Sequence, residues 1–170
     1  METVEEYNYA KNRLLALDKS VLVEALLQLA IESNSASLFV DCLIATKKER
    51  VALFHSYIEN VTLQTNILTG KQILEILRRA LDLLDPVGME PKIGLHLLEM
   101  FYTTDSWAFN STTELDFEFE YLFSEQATSL FCRFAQECDD KKYVQQIVNR
   151  LLSADEYGVR AELKQFSSLH

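Results

Sequence analysis

The sequence predicts an all-α protein, and three observations carry that prediction. Apolar residues recur every three or four positions along most of the 170-residue chain. Only four glycines and two prolines are present, too few turn-formers for a many-stranded β fold. Several of the periodic runs also follow residues that start helices well. The chain is 48% hydrophobic and 25% charged, a soluble globular balance that argues against disorder. Its length suits one domain over residues 1–170, with 1–17 a peripheral N-terminal helix and 167–170 a frayed tail.

Tyr7, Ala10, Leu14 and Leu17 suggest a first short helix. Asp18 stands as an N-cap before a second, whose stripe is Val21, Leu22, Ala25, Leu26, Leu29 and Ala30. Ser33-Asn34-Ser35 breaks it, because short polar side chains compete for backbone hydrogen bonds. A brief helix carries Leu38, Phe39, Cys42 and Leu43, and a fourth follows Lys47-Lys48 with Val51, Phe54, Tyr57, Ile58 and Val61. Thr69 and Gln72 form a capping-box pair ahead of Ile73, Leu74, Leu77, Leu81 and Leu84. Asp85-Pro86-Val87-Gly88 stops that helix, and Pro91 opens the next, with Ile93, Leu95, Leu97, Leu98 and Phe101.

Thr103 to Thr113 shows no period and reads as the longest loop, anchored by Trp107 and Phe109. Leu115 to Tyr121 alternates as a strand would, but a lone strand lacks a partner for its backbone. We therefore expect a helix from about Phe117, carrying Phe119, Leu122, Phe123, Ala127, Leu130, Phe131, Phe134 and Cys138. Asp140 opens another through Leu152, Tyr157-Gly158-Val159 turns the chain, and Arg160 to Phe166 forms a last short helix.

Short connections between such helices favour antiparallel hairpins. The run from Asp18 and the run from Thr69 share a cap, two spacer residues, then matched leucines and a glutamate. This faint repeat suggests hairpins stacked as a short α-α superhelix, with a closed helical bundle as the alternative.

Twenty-six acidic residues against sixteen basic ones give a net charge of −10. Such a field disfavours nucleic acid and anionic membranes, and favours encounter with a basic protein. Three cysteines, Cys42, Cys132 and Cys138, form neither a disulfide framework nor a zinc spacing, and Cys42 and Cys132 read as small buried hydrophobes. The chain opens without a basic, apolar leader and holds no run of membrane-spanning length, so a cytoplasmic location is expected.

Phosphate loops, nucleophile elbows and zincin motifs are missing. His96 and Glu99 lie three apart on one helix face, in the reverse order of a di-metal Glu-x-x-His pair. His55 reads as a boundary residue and His170 as part of the tail. The most unusual stretch runs from Trp107 to Cys132, which lacks lysine and has no arginine before Arg133. Glu114, Asp116, Glu118, Glu120 and Glu125 interleave there with Phe109, Phe117, Phe119, Tyr121 and Phe123. Acids at a helix N-terminus with aromatics in the core would explain it. The sharper alternative is a partner surface of aromatic anchors ringed by negative charge.

Leu22 to Ala30, the Leu97-Leu98-Glu99 helix and Leu151 to Arg160, with its Asp-x-Tyr-Gly-Val turn, together resemble a bacterial all-helical family of uncharacterised proteins. That layout is similar to the helical segment accompanying SWIM-type zinc fingers, although the finger's Cys-x-Cys and Cys-x-His are absent here. The resemblance implies a helical-repeat fold and carries over no functional residues.

The expectation is a non-enzymatic, helical-repeat interaction module without cofactor or metal, in a narrower form an acidic inhibitor or immunity-type protein masking a basic partner. Its partner-binding residues would be Trp107, Phe109, Glu114, Asp116, Phe117, Glu118, Glu120 and Tyr121. The alternative is a small-molecule or metal-binding enzyme using His96, Glu99 and nearby carboxylates.

Overall fold

The computed structural model describes residues 4–33, 36–37, 40, 43–63, 68–84 and 88–167, and every regular element among them is helical. The chain divides into two compact units, residues 1–44 and 45–170.

In the first unit, α1 (Val4–Leu15) leads into α2 (Lys19–Glu32). Asp18 has the extended backbone of an N-cap, but its side chain makes no capping bond. The first N–H groups of α2 are therefore left without the carboxylate expected there. The apolar stripe of α2 is helical as expected, yet none of its residues is buried: Leu22 and Ala30 are half-covered and the rest exposed. Asn34, Ser35, Leu38, Phe39 and Cys42, on which the helix break and the brief third helix rest, lie outside the described residues.

The second unit begins with α3 (Lys47–Leu63), sealed by a capping box that the sequence reading passed over. The Thr46 N–H donates to Glu49 at 2.8 Å, and the Glu49 N–H to the Thr46 hydroxyl at 3.3 Å. Arg50, Phe54, Ile58 and Val61 form its inner face. The expected box at Thr69 and Gln72 is present on α4 (Gly70–Asp82), which packs along α3 and buries Ile73, Leu74 and Leu77. Asp85, Pro86 and Val87 of the expected stop lie outside the described residues.

Pro91 occupies the first position of α5 (Pro91–Tyr102), where its missing N–H costs nothing. This helix touches α3 and also two later ones, α8 (Thr128–Glu137) and α9 (Lys141–Ser153). Gly94 makes the approach to α8 possible, because any Cβ there would meet the ring of Phe134 at 2.6 Å. Asp140 caps α9 as expected, its carboxylate accepting from the Tyr143 N–H at 3.1 Å.

The expected loop from Thr103 to Thr113 is corrected: Asp105–Ser111 forms a helix, α6. The Thr103 and Thr104 hydroxyls bond back to the carbonyls of Met100 and Phe101, ending α5, and the chain restarts at once. Two turns bury only Asp105 and Ala108, too few positions to display a period. Next, α7 (Asp116–Glu120) runs through a π-helical segment (Tyr121–Ala127) directly into α8, so the alternating stretch is helix. The turn at Tyr157-Gly158-Val159 is real, with Gly158 at φ +75°, and the last short helix is a 3-10 helix, Ala161–Phe166. The tail residues 168–170, His170 included, lie outside the described residues.

Candidate functional site

Helical periodicity decides what the acidic, aromatic stretch can present. In a strand Phe117, Phe119 and Tyr121 would share one face. In a helix Phe117 and Tyr121, four apart, share one face while Phe119 turns to the other. Phe119, Leu122 and Phe123 are fully buried. Phe117 is 77% exposed and Tyr121 is 50% exposed.

The inward side is an aromatic cluster. The Phe123 ring lies 5.0 Å from Phe101, 6.2 Å from Tyr102 and 6.1 Å from Phe109. Phe109 also meets Phe119 at 5.9 Å and stacks on Tyr157 at 4.7 Å. Of the two expected anchors of this region, Phe109 is thus a half-buried strut, while Trp107 on α6 stands 42% exposed. Such edge and offset contacts fix ring positions and stabilise by about 0.5–1.5 kcal/mol each beyond burial.

The π segment carries this wall directly into α8. Ala127, Thr128, Phe131 and Phe134 are buried there, while Gln126 is exposed and Leu130 half-buried. The Phe123 carbonyl accepts from the Thr128 hydroxyl at 3.2 Å and from the Tyr102 hydroxyl at 3.2 Å. Burial pushes the Tyr102 phenol well above its ordinary range, with the Thr128 hydrogen bond and the Arg160 charge opposing it, so it stays protonated.

A buried polar hub that the sequence reading did not single out holds α6 in place. Arg160 is 3% exposed and donates to the carbonyls of Leu151, Ala154 and Tyr102 at 3.0, 2.9 and 2.7 Å. It also pairs with the buried carboxylate of Asp105 in the first turn of α6. Burial raises the Asp105 pKa, and the Arg160 charge pulls it back only in part. Fifty-five residues separate the pair. Opposite charges that far apart leave no local pattern to read.

The outward side carries the acids. Glu114, Asp116 and Glu120 are exposed and Glu118 is half-buried; Asp116 and Glu118 sit in the first turn of α7. Carboxylates thus face a helix N-terminus and Phe119 and Phe123 fill the core, while Phe117, Tyr121 and Trp107 remain outside.

His96 and Glu99 are also brought together, with 4.0 Å between His96 Nδ1 and Glu99 Oε2. Both oxygens of Glu99 are engaged by Arg150, at 2.5 and 3.1 Å, and His96 is largely in solvent. Among the described residues there is no group of three His, Cys, Asp or Glu side chains placed to hold a metal. Cys132 is half-buried and burial raises its thiol pKa; Cys138 is buried; Cys42 lies outside the described residues. No helix among the described residues is long and apolar enough to cross a membrane. Comparison with protein-family models, curated proteins and solved structures found no match to this chain.

Proposed function

We propose that the chain is a non-enzymatic protein–protein interaction module whose outer α7–π face receives a basic segment of another protein. The observation that carries this reading is the exposure of Phe117 at 77% and Tyr121 at 50% in a stretch with no lysine or arginine between Trp107 and Cys132. Two neighbouring aromatics left in water are natural interface anchors, and such residues commonly contribute about 2 kcal/mol or more to binding. The surrounding carboxylates reject acidic partners and attract basic ones.

A narrower form of the proposal is an inhibitor or immunity-type protein that covers a basic enzyme by this face. Net charge −10 suits rapid capture of such a target. In this reading the protein works in the cytoplasm of a bacterium, as the resemblance to bacterial helical proteins suggests. Its scaffold is then a stack of helical hairpins, with a closed bundle as the alternative.

The test is affinity capture from the native cell extract with the full chain, beside a variant reversed in charge at Glu114, Asp116, Glu118 and Glu120. A partner retained at low salt, released at high salt and lost with the variant supports the reading. Retention that ignores both salt and charge reversal refutes it.

A further inference from the structure

The outer face of α7 repeats one arrangement twice, an exposed ring with a carboxylate beside it. At about 100° per residue, Phe117 and Tyr121 lie about 40° apart around the helix and about 6 Å apart along it. The turn between them is a regular α turn, with the Tyr121 N–H reaching the Phe117 carbonyl. On the same count Glu118 and Glu120 fall about 80° to either side of the aromatic pair. Glu120 stands three positions after Phe117, and Glu118 three before Tyr121, the spacing at which helix side chains are neighbours.

Elsewhere the protein supplies its carboxylates with cations of its own. Glu75 pairs with Arg79, Glu99 with Arg150, Asp140 with Lys92 and Asp105 with Arg160. Among the described residues, Glu114, Asp116, Glu118 and Glu120 join no ion pair. The charge that complements them must come from outside the chain.

We infer that the occupant of this face is an arginine-bearing segment, with one guanidinium laid on Phe117 and another on Tyr121. The inference rests on the proposed function and narrows its basic partner from positive charge in general to arginine. A guanidinium is planar and weakly hydrated, so it stacks on a ring face while its edge N–H groups reach a flanking carboxylate. Glu120 is the carboxylate placed for the first ring and Glu118 for the second. A lysine ammonium is a compact, strongly hydrated point charge without a flat face, so it matches the carboxylates but not the rings. Alternate side chains of an extended segment share one face about 7 Å apart, close to the separation of the two rings along the helix. Two arginines with one residue between them therefore reach both rings at once.

The test titrates the full chain with two short, blocked glycine peptides and follows the backbone amide NMR shifts of α7. One peptide carries two alternate arginines and the other two alternate lysines, so their charges are equal. The arginine peptide should bind roughly fivefold or more tightly. Phe117→Leu with Tyr121→Leu should bring the two peptides within about twofold of each other by weakening the arginine peptide alone. Glu118→Gln with Glu120→Gln should weaken both. Phe117 and Tyr121 are exposed, and an unchanged circular-dichroism spectrum separates lost contact from lost fold. Equal binding of the two peptides by the wild-type chain overturns the inference and leaves a basic partner standing. An arginine preference that survives the leucine changes overturns it too, as does an arginine peptide that shifts nothing at millimolar concentration. Failure of the proposed function shows separately, in capture from extract that ignores salt and charge reversal.

Discussion

Replacing Gly94 by alanine probes the closest approach between α5 and α8. The new methyl carbon would lie 2.6, 2.6 and 2.7 Å from three carbons of the Phe134 ring. Relaxed carbon contacts are about 3.5–4.0 Å, so ring or helix must retreat by about 1 Å. Phe134 is 2% exposed, which leaves the ring little room to do so. Overpacking of this kind costs about 1–3 kcal/mol, and alanine recovers about 1 kcal/mol over glycine through helix propensity. With three carbons in conflict, the net loss should be about 1–2 kcal/mol. The assay is urea unfolding, with the midpoint falling and its slope unchanged. In a Phe134→Leu background the conflict disappears and the same substitution should stabilise by about 1 kcal/mol, a coupling of about 2–3 kcal/mol between the sites. An unchanged or higher midpoint for Gly94→Ala in the wild-type background, or the same effect in both, would refute the reasoning.

Arg160→Ala should cost about 3–5 kcal/mol in urea unfolding, because it leaves the Asp105 carboxylate and three carbonyls buried without their donor. The paired change Arg160→Met, Asp105→Leu should cost clearly less, since no lone charge remains inside. The Asp140 carboxyl is held below its ordinary 3.8, first by the Lys92 side chain and then by the Tyr143 N–H. Its contribution is therefore complete above the unfolded value and fades as pH falls through the folded one. The stability gap between wild type and Asp140→Asn should close on acidification, with a carboxyl titration by NMR confirming the depressed value. Phe117→Ser with Tyr121→Ser should leave the unfolding midpoint within about 0.5 kcal/mol of wild type per site while abolishing partner capture.

The all-α class and most helix starts were legible because they depend on local chemistry. The box at Thr69 and Gln72, the cap at Asp140 and the first-turn Pro91 act within a few residues of where they stand. Asp18 shows the limit of such signals: the residue type and backbone suit a cap, but the side chain does not make the bond. Helix α6 escaped notice because two turns are too short to declare a period. The π segment was hidden for a related reason. Phe119, Phe123, Ala127, Phe131 and Phe134 stand at three- and four-residue spacings, so the apolar pattern fits a regular helix and carries no mark of the π turn.

At the candidate site the sequence supplied the residues but not their sorting. Composition marked Phe109, Phe117, Phe119 and Tyr121 together, and only the helix register divides them into struts and exposed anchors. Stripe and burial part company in α2, where regular apolar spacing gave the helix correctly while none of its residues is buried. The Asp105–Arg160 pair is beyond any pattern argument, because it joins two chain segments through the core.

In the proposed function, Phe117 lies at the heart of a contact with a basic protein. A photo-crosslinking phenylalanine analogue placed at position 117, with the same analogue at the exposed Glu59 on α3 as control, tests it most directly. A crosslinked partner is expected at position 117 alone, with its attachment point in a lysine- or arginine-rich segment and its yield falling as salt is raised. Equal crosslinking at both positions, or none at 117, would contradict it.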